Sequence, residues 1–217
     1  MICPIINGIG MSDMGQETVR VALGFKAHSG WAAMVAIGMT ESYFHVVDRR
    51  RVELIDEGEE WAKQPYHAAE DLEPDSSRSV VQLGIESAHR VAIRQMSETV
   101  SRISKLGHEI AGCAVLVPSP MPDWSTAEIL AVHFRMHKAE GVLFPDALCR
   151  AAKTCGLSLA SIPEKQLAEH SEAILSVPYE RTMDMILKIG KLVGPPWGRD
   201  QKNAALAAII ALQMVFE

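Results

Sequence analysis

The stretch that most constrains the fold is residues 19–38, which predicts two apolar strands joined by a short polar turn. Residues 19–25 are apolar almost throughout, as in a central strand that is covered on both faces. Ser29 and Gly30 are typical turn residues, and residues 31–38 return as a second strand. The hairpin therefore favours an α/β protein in which helices cover both faces of a sheet.

After the hairpin, the hydrophobic pattern predicts one more strand and then a crossover. Residues 42–55 are rich in β-branched and aromatic side chains, so the three strands are expected to form an antiparallel meander. A long amphipathic helix is expected over residues 78–106, with Ser77 as its N-cap and Gly107 at its end. The apolar run 110–117 then implies a buried parallel strand.

The second half of the chain is predicted to be mainly helical. Ser125 and Glu128 have the spacing of a capping box for a helix that reaches about Lys138, and Gly141 and Pro145 are expected to interrupt it. The remaining predicted elements are a helix at 146–155, a strand at 157–162, helices at 164–175 and 180–192, and a buried closing helix at 201–214 capped by Asp200.

At 217 residues, the chain is expected to form a single domain, 1–217, with an irregular lead-in at 1–17. Residues 56–77 form an acidic loop in which eight Asp and Glu residues stand against Lys63 alone. Inside this loop, residues 64–69 read Gln-Pro-Tyr-His-Ala-Ala, and Tyr66-His67 either covers a pocket or anchors the loop by packing. The sequence allows two interpretations of residues 56–77, a functional loop and a disordered loop.

Composition excludes some functions. The net charge of -6 argues against a dedicated nucleic-acid binder, although a local basic patch would overcome it. The four cysteines form no CxxC pair, which fits reduced thiols and a cytoplasmic protein. No apolar run is long enough to cross a membrane, and the first residues do not read as a signal peptide.

The order of elements resembles the ribonuclease H-like superfamily, and most of all the branch that contains the RuvC-type Holliday-junction resolvases. Residues 21–26 with 29–31 are similar to that family's opening strand and glycine turn, and residues 138–148, 157–164 and 200–212 resemble its closing helix–strand–helix portion. The resemblance implies a mixed sheet, with a three-strand antiparallel meander plus two parallel strands, flanked by helices.

The resemblance also implies a two-metal nuclease centre, which requires several carboxylates. Lys26 stands where the first carboxylate is expected, and Leu116, Val117 and Pro118 stand where the second is expected. The first turn of the closing helix offers one acid at most, Asp200. We therefore expect the catalytic carboxylates, and with them two-metal cleavage, to be missing.

Two groups of residues are candidates for binding an anion or another ligand. Lys26, His28 and Ser29 crowd the first turn, and Asp200, Lys202 and Asn203 are expected to face the same edge of the sheet. Arg49 and Arg51 belong to a basic run that predicts either a phosphate clamp or a charged edge strand. For the turn, the alternative is a solvated loop whose polar residues face water.

A divalent metal is a further hypothesis, although no cofactor is predicted outright. His133 and His137 stand four residues apart, with Glu140 three further on, so all three would share one helix face and could bind Zn²⁺. The alternative is an ordinary histidine pair, since the glutamate of the metalloprotease motif is absent and Arg135 and Lys138 are close in sequence.

These observations lead to two functional hypotheses. The favoured one is a pseudoenzyme of the ribonuclease H-like fold, a homodimer that recognises a nucleotide or a nucleic-acid structure as a binding or assembly module. The alternative is an enzyme, hydrolase- or nuclease-like, with a relocated acid/base or single-metal site at His133, His137 and Glu140, to which His28 and His67 could contribute.

Overall fold

The computed structural model of the chain describes residues 19–40 and 43–214, and the lead-in predicted at 1–17 lies outside these ranges. The strands are β1 (Arg20–His28), β2 (Trp31–Met39), β3 (Phe44–Glu53), β4 (Glu109–Val117) and β5 (Leu159–Pro163). The helices are α1 (Pro65–Ala68), α2 (Pro74–Lys105), α3 (Thr126–Leu130), α4 (His133–Thr154), α5 (Leu167–Leu175), α6 (Tyr179–Val193) and α7 (Arg199–Met214). Short 3₁₀ turns lie at Glu60–Lys63 and Glu164–Gln166.

The five strands form one mixed sheet in the order β3-β2-β1-β4-β5. β1, β2 and β3 are antiparallel neighbours, whereas β4 and β5 run parallel to β1. The predicted meander with two parallel strands is thus confirmed, and the sheet is that of a ribonuclease H-like fold. The register places Lys26 beside Leu116 and Leu116 beside Ile162, so the carboxyl ends of β1, β4 and β5 meet at one edge.

The turn between β1 and β2 consists of two residues, because His28 pairs with Trp31. Gly30 has a φ of +82°, a conformation that glycine adopts without steric cost. The turn ends β1 at the same sheet edge to which β4 and β5 run. It thereby carries the predicted ligand residues Lys26, His28 and Ser29 to that edge.

Helices cover both faces of the sheet, as the apolar hairpin predicts. Alternate residues of β1, such as Leu23 and Phe25, pack against α2 and α4, whereas Ala22 packs against α7. The segment 204–212 of α7 is buried on all sides, in agreement with its apolar sequence. None of the described helices is both long and apolar enough to span a membrane.

A single helix, α4, runs through the positions that were expected to interrupt it. The predicted break at Gly141 and Pro145 is wrong, because Pro145 lies inside α4. The proline lacks the N–H that would bond to the carbonyl of Gly141, but Phe144 and Pro145 are both buried, and this packing holds the helix together. The capping box of Ser125 and Glu128 is confirmed, although it begins the separate short helix α3.

Two predicted N-caps are wrong by a few residues. α2 begins at Pro74, and the Ser77 hydroxyl donates instead to two carbonyls of the preceding turn. Proline is favoured at the first helical position because its missing N–H is not needed there. α7 begins at Arg199, which puts Asp200 inside the first turn rather than at the cap.

The acidic segment 56–77 is folded onto the helices. Tyr66 and Ala69 are buried in a cluster with residues of α2, α3 and α4. Pro65 lies directly on α2, where a Cβ added to Gly84 would come within 2.4 Å of the proline Cβ. Packing therefore explains the unusual sequence at residues 64–69, and the prediction of a disordered loop is wrong for this segment.

Candidate functional site

A cavity of about 270 Å³ opens at the carboxyl end of β1, where the parallel strands meet. Its lining consists of the first turn (Lys26, Ala27, His28, Ser29), the end of β4 (Leu116, Pro118), α4 (Glu140, Gly141, Pro145) and Glu164. Three of the predicted ligand residues thus share one cavity with a glutamate of α4. We call this space the edge cavity.

Within the edge cavity, Lys26 is held in an ion pair. Its ammonium group donates to the carboxylate of Glu164, and the two side chains are only 16% and 32% exposed. Glu164 follows β5 directly, so the parallel packing of the strands carries it to the end of β1. Because Glu140 also lines the cavity, one lysine faces two glutamates. This balance of charges disfavours an anion at Lys26.

The carboxylates that the resemblance implies are absent from the ends of β1 and β4, although Glu140 and Glu164 line the edge cavity. Lys26 and Leu116 occupy neighbouring positions at the ends of β1 and β4. Asp200 lies near the turn, with its Oδ2 3.1 Å from Nε2 of His28 but without an aligned hydrogen bond. Lys202 and Asn203 are half-buried in α7 and do not line the edge cavity. Among these positions, Asp200 alone offers a carboxylate, whereas two divalent ions need several.

The arginine run of β3 is engaged by the chain itself. Arg49 donates at 2.5–3.0 Å to the carbonyls of Val193, Gly194, Pro195 and Pro196. Arg51 stacks over the Trp31 ring, 3.9 Å from its centroid, and donates to Glu53. β3 is the outermost strand of the sheet, as the charged-edge interpretation predicts, and lies beside β2 rather than at the edge cavity. Arg49 therefore holds the 193–196 loop, and neither arginine lines the edge cavity.

A second group of candidate residues consists of His67, His133 and His137, which we call the histidine cluster. His133 and His137 lie one turn apart on α4, and their Nε2 atoms are 3.0 Å apart. α1 brings His67 against them, so that one ring nitrogen from each of the three residues lies within 4.8 Å of the others. The predicted histidine pair is thus joined by a third histidine from the folded acidic segment.

Glu140 connects the histidine cluster to the edge cavity. Its side chain is only 3% exposed, and its Oε2 lies 2.7 Å from Nδ1 of His67. Its Oε1 accepts the backbone N–H of His67 at 3.1 Å. Burial and the negative charge of Glu140 raise the pKa of the neighbouring Tyr66. Glu140 was proposed from the sequence as a metal ligand, but the structure places it behind His67, where it orients the ring.

A basic groove along α2 was missed by the sequence analysis. It has a volume of about 680 Å³ and is lined by Arg90, Ile93, Arg94, Ser97, Glu98, Ser101, Arg102 and Lys105. Arg94 and Arg90 hydrogen-bond to Asp56, which lowers the pKa of that carboxyl group. The signal was present in the sequence, because the four cations recur at spacings of four, eight and three within the predicted helix. We call this surface the α2 groove.

The strand order and the two helical layers define the class of the protein, an α/β protein with a ribonuclease H-like fold. No protein-family model matches the chain, and no curated protein sequence matches it. Among the solved structures that are similar to it are two with 12% sequence identity and a TM-score of 0.48 each. The structure of Thermus thermophilus RuvC covers 89% of this chain and 93% of its own. T. thermophilus RuvC in complex with Holliday junction substrate covers 91% and 95%. At this level of identity the similarity concerns the fold alone.

Proposed function

We propose that this chain is a non-cleaving protein of the ribonuclease H-like fold that binds nucleic acid through its backbone phosphates. The observation that carries the proposal is the Lys26–Glu164 ion pair at the carboxyl end of β1. A lysine at this position repels Mg²⁺, and its pairing with Glu164 engages the nearest carboxylate. Two-metal cleavage requires the opposite arrangement, in which carboxylates at the end of the strand hold the ions.

The α2 groove supports the binding half of the proposal. Four cationic side chains line it together with Glu98; Asp56 pairs with Arg90 and Arg94, and Asp48 pairs with Arg102. Arg90 and Arg94 remain 55% and 45% exposed although they pair with Asp56. A guanidinium group carries five N–H donors, so contact with one carboxylate leaves donors for a phosphate. The hydroxyl groups of Ser97 and Ser101 add further donors along the same groove.

Cleavage is tested by incubating the chain with branched and single-stranded DNA in the presence of Mg²⁺ or Mn²⁺. We expect no metal-dependent cleavage above the level of a chelator control. Robust cleavage that an Asp200→Asn substitution abolishes would refute this half of the proposal, because the remaining acid of α7 would then be catalytic.

Binding is tested by fluorescence anisotropy of labelled DNA at several salt concentrations. Removal of one phosphate contact lowers the slope of log K against log salt by about 0.7 for single strands and about 0.9 for duplex. We expect Arg94→Gln and Lys105→Gln each to have this effect. Arg78→Gln is the matched control, since Arg78 lies on α2 outside the groove and is 61% exposed. An equal decrease of the salt slope in all three variants, or binding that is insensitive to salt, would contradict a phosphate site in the groove.

The proposal includes a homodimer, and an exposed apolar surface supports it. Tyr43 is 63% exposed and Leu192 88% exposed, and they border a groove with Met39, Phe44, Met185 and Ile189. Apolar surface of this kind is often covered by a partner. Sedimentation equilibrium should show a dimer that Leu192→Glu weakens, whereas a monomer at all concentrations would exclude this part of the proposal.

A further inference from the structure

The histidine cluster has the composition of a metal site rather than of a nuclease centre. We propose that His67, His133 and His137 bind one transition-metal ion of the Zn²⁺ class. The inference rests on side chains outside the α2 groove and does not depend on nucleic-acid binding. Imidazole nitrogens suit Zn²⁺, Cu²⁺ and Ni²⁺, whereas Mg²⁺ and Ca²⁺ prefer oxygen ligands.

The distances in the histidine cluster fit a tetrahedral ion. A Zn–N bond of about 2.0–2.1 Å places two coordinating nitrogens roughly 3.4 Å apart. The Nε2 atoms of His133 and His137 are 3.0 Å apart, and all three ring nitrogens lie within 4.8 Å. The required separation lies between these values, so small rotations of the side chains bring the three nitrogens onto one ion.

Glu140 supplies the outer contact that a metal-binding histidine requires. Metal-bound histidines usually donate their second N–H to a carboxylate or carbonyl, which sets the tautomer and the orientation of the ring. Oε2 of Glu140 lies 2.7 Å from Nδ1 of His67, so Nδ1 is the donor and Nε2 is left for the ion. The backbone N–H of His67 is bound by the same carboxylate, which holds α1 in place.

The neighbouring cations Arg135 and Lys138 are engaged with an aromatic ring. Arg135 and Lys138 flank His137 in the sequence and would repel a metal ion if they faced it. The Cζ of Arg135 instead lies 4.8 Å from the centroid of the Trp124 ring, and the Nζ of Lys138 lies 5.8 Å from it. Both cations are thus engaged with the Trp124 ring, which weakens the objection from the sequence.

Three protein ligands leave a fourth position on the ion. Structural zinc sites are closed by four protein ligands, whereas sites with three ligands keep a position for water or a bound molecule. His133 and His137 are exposed, with His133 at 63%, so the fourth position opens to solvent. The geometry is therefore that of an open site and not of a structural zinc.

The test uses the untagged 217-residue chain, which is stripped with a chelator and titrated with Zn²⁺ by calorimetry and with Co²⁺ by visible absorption. We expect one equivalent to bind and Co²⁺ to give the intense bands of a tetrahedral site. Glu140→Gln should weaken binding about 10–100-fold, as is usual for an outer-shell carboxylate. His137→Ala should weaken it by more, because it removes a ligand.

His170→Ala is the matched control, since His170 is half-buried on α5, outside the histidine cluster, and its Nδ1 lies 3.1 Å from the carbonyl oxygen of Gln166. Circular dichroism checks that each variant is folded, which we expect because His133 and His137 are exposed. If the wild type fails to bind stoichiometrically, or if His137→Ala binds as tightly as His170→Ala, the proposal is overturned. Neither result bears on cleavage or on binding in the α2 groove, so this proposal and the preceding one fail separately.

Discussion

Gly24 in β1 is the position where a single methyl group should disturb the fold most. A Cβ at Gly24 would lie 1.9 Å from the carbonyl oxygen of Ala204 and 2.8 Å from the amide nitrogen of Ala208. An ordinary contact is about 3.5–4.0 Å, so α7 would have to move by roughly 1.5 Å or more. Both clashing atoms belong to the backbone of a helix that is buried on all sides, and rotation of a side chain cannot relieve them.

The expected loss of unfolding free energy in Gly24→Ala follows from two opposing contributions. Overpacking of a core costs about 1–3 kcal/mol, and a backbone clash belongs at the upper end of that range. Replacing glycine also reduces the freedom of the unfolded chain, which returns about 0.4–1 kcal/mol. We therefore expect Gly24→Ala to lower the free energy of unfolding by about 2 kcal/mol or more.

Urea denaturation followed by circular dichroism measures this loss. Gly141→Ala is the matched control, because Gly141 lies inside α4 and an added Cβ meets no atom within 4 Å. Alanine should raise the stability there by about 0.5–1 kcal/mol, owing to its helix propensity. If Gly24→Ala were as stable as the wild type, α7 could not lie on β1 as closely as described, and the placement of Asp200 near His28 would fail with it.

Three further perturbations address separate contacts. Arg49→Met should cost about 1–3 kcal/mol of unfolding free energy, because four carbonyls of the 193–196 loop lose their donor. Arg50→Met is the control: Arg50 is exposed, so its replacement should change the unfolding free energy by no more than about 0.5 kcal/mol in the same urea titration. Burial raises the pKa of the Cys113 thiol, so iodoacetamide at mildly alkaline pH should leave Cys113 unmodified in the folded chain and modify it in denaturing urea, as mass spectrometry can show. Burial lowers the pKa of His45 in the folded chain, so the unfolded chain binds the proton more readily. Stability should fall as the pH drops below the unfolded value of about 6.5, and this fall should be smaller in His45→Gln, measured by thermal unfolding across that pH range.

Much of the fold could be predicted from local sequence patterns. An apolar hairpin, an amphipathic helix and apolar runs bounded by proline or glycine are signals that neighbouring residues carry, and they are sufficient to predict the sheet. The failures come from tertiary packing. Pro145 would end an isolated helix, but burial of Phe144 and Pro145 keeps α4 continuous. The acidic segment has no clear local pattern because its order derives from contacts such as that of Pro65 with α2.

The candidate sites were harder to predict because partners distant in sequence decide their chemistry. Lys26 is an available cation in the sequence, but Glu164, 138 positions away, neutralises it. Arg49 is one of three consecutive arginines, and only the folded chain shows that carbonyls 144–147 positions away use its donors. His133 and His137 were recognisable as a pair because helical spacing is local. The roles of His67 and Glu140 depend on how α1 meets α4.

Glu140 determines how these sites can be separated by experiment. Its side chain lines the edge cavity, and both of its carboxylate oxygens contact His67, so a substitution there perturbs the cavity and the histidine cluster together. A change at Glu140 alone can assign a function to neither. His137 belongs to the cluster and does not line the cavity, whereas Lys26 lines the cavity and is not part of the cluster. A property that responds to His137 and Glu140 but not to Lys26 therefore belongs to the histidine cluster. A property that responds to Lys26 and Glu140 but not to His137 belongs to the edge of the sheet.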